Sequence, residues 1–68
     1  MITFELKTEY IELIKLLKVC RIVGSGGEAK DLVDQGEVKR NGELETRKRA
    51  KIRKNEIIEV LGKKIKTI

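Results

Sequence analysis

Residues 25–42 read SGGEAKDLVDQGEVKRNG, and this stretch decides the fold. Ser25, followed three residues later by Glu28, is a helix-opening pair. The serine hydroxyl accepts from the Glu28 N–H, and the glutamate reaches back to the Ser25 N–H. Ala29, Leu32 and Val33 then recur at helical spacing. Gly36 follows where a helix needs a residue that tolerates left-handed backbone. Val38 and Leu44 flank Asn41-Gly42, a dipeptide suited to a two-residue hairpin turn because both of its positions need positive φ. The stretch therefore predicts a short helix leading directly into a hairpin.

Working outward, the segment from Glu9 to Cys20 carries apolar residues at Tyr10, Leu13, Ile14, Leu17 and Cys20, one stripe down a helix, widened by Leu16 and Val19. Thr8 is the expected N-cap, with Glu9 and Glu12 near the positive end of the dipole and Lys18 and Arg21 near the negative end. About four residues join this helix to the next, so the two form a compact αα pair. Ahead of them, Ile2, Phe4 and Leu6 alternate in a short half-buried strand. Beyond the hairpin, Ile52 stands alone between cations as a single inward anchor. Lys54-Asn55 is the next turn, Glu56–Leu61 a strand, Gly62-Lys63 another turn and Lys64–Ile68 the last strand. The order β-α-α-β-β-β-β predicts an α+β fold with a small, mainly antiparallel sheet, residues 1–68 forming one domain without linker or repeat.

Charge is unevenly placed. Sixteen Lys and Arg against eleven Asp and Glu give a net of +5. Residues 1–34 hold five basic and six acidic side chains, residues 35–68 eleven and five. The densest run is 47–54, RKRAKIRK, six of whose eight residues are cationic. A one-sided basic footprint favours a polyphosphate partner, through counterion release and steering; the alternative is a solvated, solubilising face. No apolar run exceeds two residues, so a membrane helix or secretory leader is not expected, and the free thiol of Cys20 agrees with a reducing, cytoplasmic setting.

Catalytic and metal chemistry find little to use. The chain has no histidine and one cysteine, which excludes the usual Cys/His zinc site and the histidine-based triads. Glu9/Glu12 and Glu43/Glu45 read as surface charges, the first at a helix start and the second on a solvated strand face. Cys20 reads as a packed core thiol. No Walker or dinucleotide fingerprint is present, so neither a cofactor nor a metal is expected. The glycines do leave the first N–H groups of the second helix sterically open. Gly26 and Gly27 can thus receive a phosphate beside Lys30, or can merely permit a tight interhelical turn. Phe4 and Tyr10 are the only aromatics, and both fall on expected core positions. Recognition by base stacking is accordingly not expected, and any RNA contact should run through Arg and Lys.

The string from Ser25 to Val60 resembles the small RNA-binding domain of the ribosomal protein S-four type, with its alpha-L motif. The matching residues are Ser25, Ala29-Lys30, Leu32-Val33, Gly36-Glu37-Val38, Asn41-Gly42 and the basic strand before Asn55-Glu56-Ile57-Ile58. The GGEAK and ETRKR strings and the short leading strand are similar to a free-standing bacterial subgroup. The resemblance implies two helices on a small curved antiparallel sheet and a non-catalytic role in binding structured RNA. Ribosomal or transfer RNA is the expected class, and a ribosome or its precursor a candidate partner. It implicates Lys30, Lys39, Arg47, Lys48, Arg49 and Lys51. Gly26, Gly27, Arg40 and Arg53 complete the candidate surface, which a monomer is expected to present. Where many members of this family carry a basic residue, this chain has Gly26, so a contact there would fall to backbone N–H groups. Two other readings fit parts of the sequence. One is a basic adaptor that binds an acidic protein of the translation machinery. The other is a minimal KH-like binder using the Gly24–Gly27 loop, which would want a further helix downstream.

Overall fold

The computed structural model describes residues 1–68. Nine elements follow in chain order: β1 (Ile2–Phe4), β2 (Ile11–Glu12), α1 (Leu13–Val19), α2 (Gly26–Asp34), β3 (Val38–Arg40), β4 (Glu43–Leu44), β5 (Lys51–Ile52), β6 (Ile57–Val60) and β7 (Lys63–Thr67). Five strands form a sheet in the order β1-β7-β6-β3-β4, and β2 pairs with β5 in a second, two-stranded one. The α+β class and the helix pair are as expected. The sheet is mixed, however, because β1 runs parallel to β7, with Ile2 opposite Ile65 and Phe4 opposite Thr67. Only strands follow α2, so the downstream helix of a KH arrangement is absent.

The second helix opens as expected: Ser25 accepts from the Glu28 N–H at 3.2 Å. The return bond of the capping box is replaced by a side-chain contact, in which the Ser25 hydroxyl donates to Glu28 Oε1 at 3.5 Å. At its far end the Gly36 N–H reaches Val33 O and the Glu37 N–H reaches Leu32 O, with Gly36 at φ +74°. This is the paired closure of a left-handed helix end. The same closure ends α1, where the Arg21 and Ile22 N–H groups reach Lys18 O and Leu17 O. There a non-glycine, Arg21, takes φ +59°, which stops the helix three residues before Gly24.

The first helix is shorter than its periodicity suggests. Ile11–Glu12 is extended because it pairs with Lys51–Ile52. Glu12 occupies the N-cap position without a side-chain cap bond. Thr8 instead donates to Tyr10 O at 2.8 Å. The helix start is closed by carbonyls from far along the chain: Leu13 N–H donates to Ala50 O at 2.9 Å and Ile14 N–H to Lys48 O at 3.2 Å. Tertiary pairing has replaced the local cap, since orphan N–H groups accept any well-placed partner.

The Asn41-Gly42 turn has φ of +52° and +86°, placing Arg40 opposite Glu43. The later turn is Leu61-Gly62, one residue earlier than expected, with Val60 opposite Lys63. The core collects Leu6, Ile11, Leu13, Leu16 and Leu17 with Ala29 and Val33 of α2, and Val38, Ala50, Ile52, Ile58, Val60 and Ile65. Two expected core residues lie outside it: Val19 is 48% exposed and Tyr10 38%.

Candidate nucleic-acid interface

The basic run alternates between core and solvent. Ala50 and Ile52 are buried, so Ile52 shares its anchoring role, while Arg47, Lys48, Arg49, Lys51, Arg53 and Lys54 are exposed. Its backbone is held along its length. The carbonyls of Lys48 and Ala50 cap α1. The Lys51 carbonyl accepts from Arg40 Nη2 at 2.8 Å. The Arg53 N–H donates to Glu56, and the Thr67 hydroxyl donates to the Arg53 carbonyl.

Two carboxylates organise this scaffold, and sequence reasoning missed both. Glu45, expected in solvent, is 6% exposed. It accepts from the Arg47 N–H at 3.0 Å, from Arg47 Nε and Nη2 at 3.2 Å each, and from Arg40 Nη1 at 3.3 Å. Burial alone would raise its pKa. The hydrogen bonds from Arg47 and Arg40 outweigh burial and bring it down to about 2. Glu56 accepts from Arg40 Nε at 2.6 Å and Nη2 at 3.0 Å, and from Asn41 Nδ2 at 3.2 Å. Burial again opposes, and the bonds from Arg40 and the Arg53 N–H prevail to hold it below the usual carboxylate range.

Of the expected site residues, Arg40 is spent inside this network. Its side chain is 22% exposed, and its guanidinium is shared among Glu56, Glu45 and the Lys51 carbonyl. Arg47 is clamped by Glu45 at one edge while 72% of its side chain faces solvent. Arg40, Arg47, Arg49 and Lys51 surround a shallow notch floored by Ala50. Lys48 meets Asp34 at 3.2 Å, which ties the segment to α2. Lys30 lies one turn before Asp34 on the same helix face, and Gly27 almost one turn before Lys30, so these three line up on the side nearest Lys48. Glu28 and Ala29 send their N–H groups to Ser25, leaving those of Gly26 and Gly27 free at the helix start. Lys39 stands apart. Strand alternation puts it on the sheet face opposite Val38 and Arg40, in register with Glu59 and Leu44.

The other missed residue is Tyr10. Lys51 Nζ lies 5.0 Å from the centre of its ring and the Arg53 guanidinium carbon 5.8 Å, with Arg53 also paired to Glu9 at 3.0 Å. The helical stripe concealed this placement, because Tyr10 fits that stripe yet precedes a strand.

The S4 domain model matches residues 4–68. A protein of Escherichia coli K12, YbcJ, whose name assigns it RNA binding provisionally, is 38% identical over 69 residues, covering 100% of this chain and 99% of YbcJ. An uncharacterised YbcJ of Shigella flexneri is equally similar. The solution structure of the E. coli protein, described as revealing an alpha-L motif involved in RNA binding, superposes with a TM-score of 0.78 over 100% of this chain and 87% of that one.

Proposed function

The chain belongs to the S4 domain family of non-catalytic RNA-binding domains, and from that premise we propose that it binds structured RNA of the ribosomal or transfer class by its phosphate backbone. The contact surface is the exposed side of residues 47–53 together with Lys30 and the free N–H groups of Gly26 and Gly27. The observation that carries this reading is the division of labour within the basic run. Its main chain is fixed by α1, Glu56, Thr67 and Arg40, while its cations remain outside.

Such a surface suits a phosphate chain for two physical reasons. Each cation that neutralises a phosphate releases a condensed counterion, and this entropy gain supplies most of the sequence-independent affinity. A fixed main chain also lowers the ordering cost of binding. Arg47 gains further, because Glu45 orients one edge of its guanidinium and leaves the rest to reach an oxygen. Arg40 and Glu56 support the segment from beneath. Lys39, on the other face, lies outside the proposed surface.

Crosslinking in cells, with sequencing of the bound RNA and mass mapping of the attached peptides, tests the reading. Ribosomal or transfer RNA should dominate, and crosslinks should fall within 26–30 and 47–53. Crosslinks concentrated on the outer sheet face around Lys39 and Lys64 would contradict it.

A further inference from the structure

We propose that Tyr10 is a stacking platform for an unpaired base of the bound RNA; this rests on the RNA-binding reading above and adds to it a preference for single-stranded or looped segments. A tyrosine free to pack would normally be covered by apolar neighbours. Tyr10 instead sits at the surface, 38% of the residue exposed, at the border of the basic strand. Lys51 and Arg53 gather around its ring at 5.0 and 5.8 Å. Arg53 is also paired with Glu9, at 3.0 Å. Tyr10 also lines an open groove together with Phe4, Leu6, Lys15 and Val19. An aromatic side chain flanked by two cations, beside a groove of mixed apolar and charged lining, is a combination that receives a base with its phosphates on the cations.

The existing cation–π pairs do not prevent this. An ammonium over an exposed ring gains little. Lys51, on a flexible stem, exchanges the ring for a phosphate at small cost, and a stacked base contributes more than the ammonium it displaces. Tyr10 precedes β2 and is not part of its ladder, so its ring can take up a base without breaking strand pairing. The groove offers carboxylates as well, at Glu5, Glu9 and Glu12, which can accept from exocyclic amines.

The chain provides its own reporter, since Tyr10 is the only tyrosine and there is no tryptophan. Tyrosine emission of the full chain is titrated with a short single-stranded RNA and with a fully paired RNA duplex of matched absorbance. Anisotropy of a labelled strand follows binding in parallel. The single strand should quench emission at the concentrations where it binds, and the duplex should bind with emission unchanged. Tyr10→Leu should weaken single-strand binding by about 5- to 150-fold, the range for losing one stacked base, and leave duplex affinity unaltered. Tyr10→Phe should retain both. Quenching in the unaltered chain stands as a test even if a variant fails to fold. Single-strand binding without quenching, or a Tyr10→Leu variant that loses nothing or loses both RNAs equally, overturns the stacking role and leaves RNA binding standing. Failure of both RNAs to bind overturns the RNA reading itself.

Discussion

Replacing Glu45 with glutamine should destabilise the protein by about 2–3 kcal/mol at pH 7, although the side chain changes by one atom. The side chain is 7% exposed, and its carboxylate accepts four hydrogen bonds, three from Arg47 and one from Arg40. An amide has one acceptor oxygen and would turn N–H donors toward the Arg47 donors. A carboxyl held at about 2 against an ordinary 4.5 contributes about 3 kcal/mol at neutral pH. Removing a partner from a fully buried pair typically costs about 3–5 kcal/mol. The lower figure applies here because Arg47 is largely solvated and Arg40 keeps Glu56. The sign with pH follows from the depressed value: the stabilisation is complete above about pH 4.5 and is lost as pH falls through about 2. By the same linkage it drops to about 1 kcal/mol at pH 3. Urea unfolding of both proteins at pH 7 and pH 3 measures it. A small domain has a total stability of roughly 3–10 kcal/mol, so the difference is readily resolved. A variant as stable as the parent at pH 7, or a gap that stays constant down to pH 3, would refute the argument that Glu45 is a charged organiser of the basic run.

Three further outcomes are expected. Gly42→Val meets no steric obstacle but forces a β-branched residue to φ +86°, so thermal melting should report a loss of about 1–3 kcal/mol. Ile52→Ala removes a fully buried side chain and should cost about 2–4 kcal/mol by denaturant titration, with RNA affinity of the folded fraction retained. Arg49→Gln should keep stability within about 0.5 kcal/mol while weakening RNA binding, whereas Lys39→Gln should alter neither. Equal losses of affinity from the two would extend the interface to the sheet face that carries Lys39.

Local signals carried most of the fold. The Ser25 cap, the Gly36 stop and the Asn41-Gly42 turn depend on residues within three or four positions, and all three stand where the sequence places them. What stayed hidden depends on partners far along the chain. Thr8 is a sound cap by type, yet Ala50 and Lys48 supply the carbonyls that start α1. Tyr10 matches a helical stripe, yet the pairing of β2 with β5 turns it toward solvent. The parallel pairing of β1 with β7 joins the two ends of the chain, which no short-range pattern announces. The basic run itself was legible from composition. Its division into a pinned main chain and exposed cations was not, because Glu45 and Glu56 resemble any surface acid until their arginine partners are placed around them.

The central claim is that the exposed cations along 47–53, with Lys30, meet RNA phosphates, Arg47, Lys48 and Arg53 from within their ion pairs with Glu45, Asp34 and Glu9. Affinity measured by anisotropy across a range of salt concentrations tests it most directly. Six such contacts, from Lys30, Arg47, Lys48, Arg49, Lys51 and Arg53, predict a log–log slope of about −4 on single strands and about −5 on duplexes. Substituting Arg49 and Lys51 together by glutamine should flatten that slope by about 2. A slope near zero, or one that the double substitution leaves unchanged, would contradict the account.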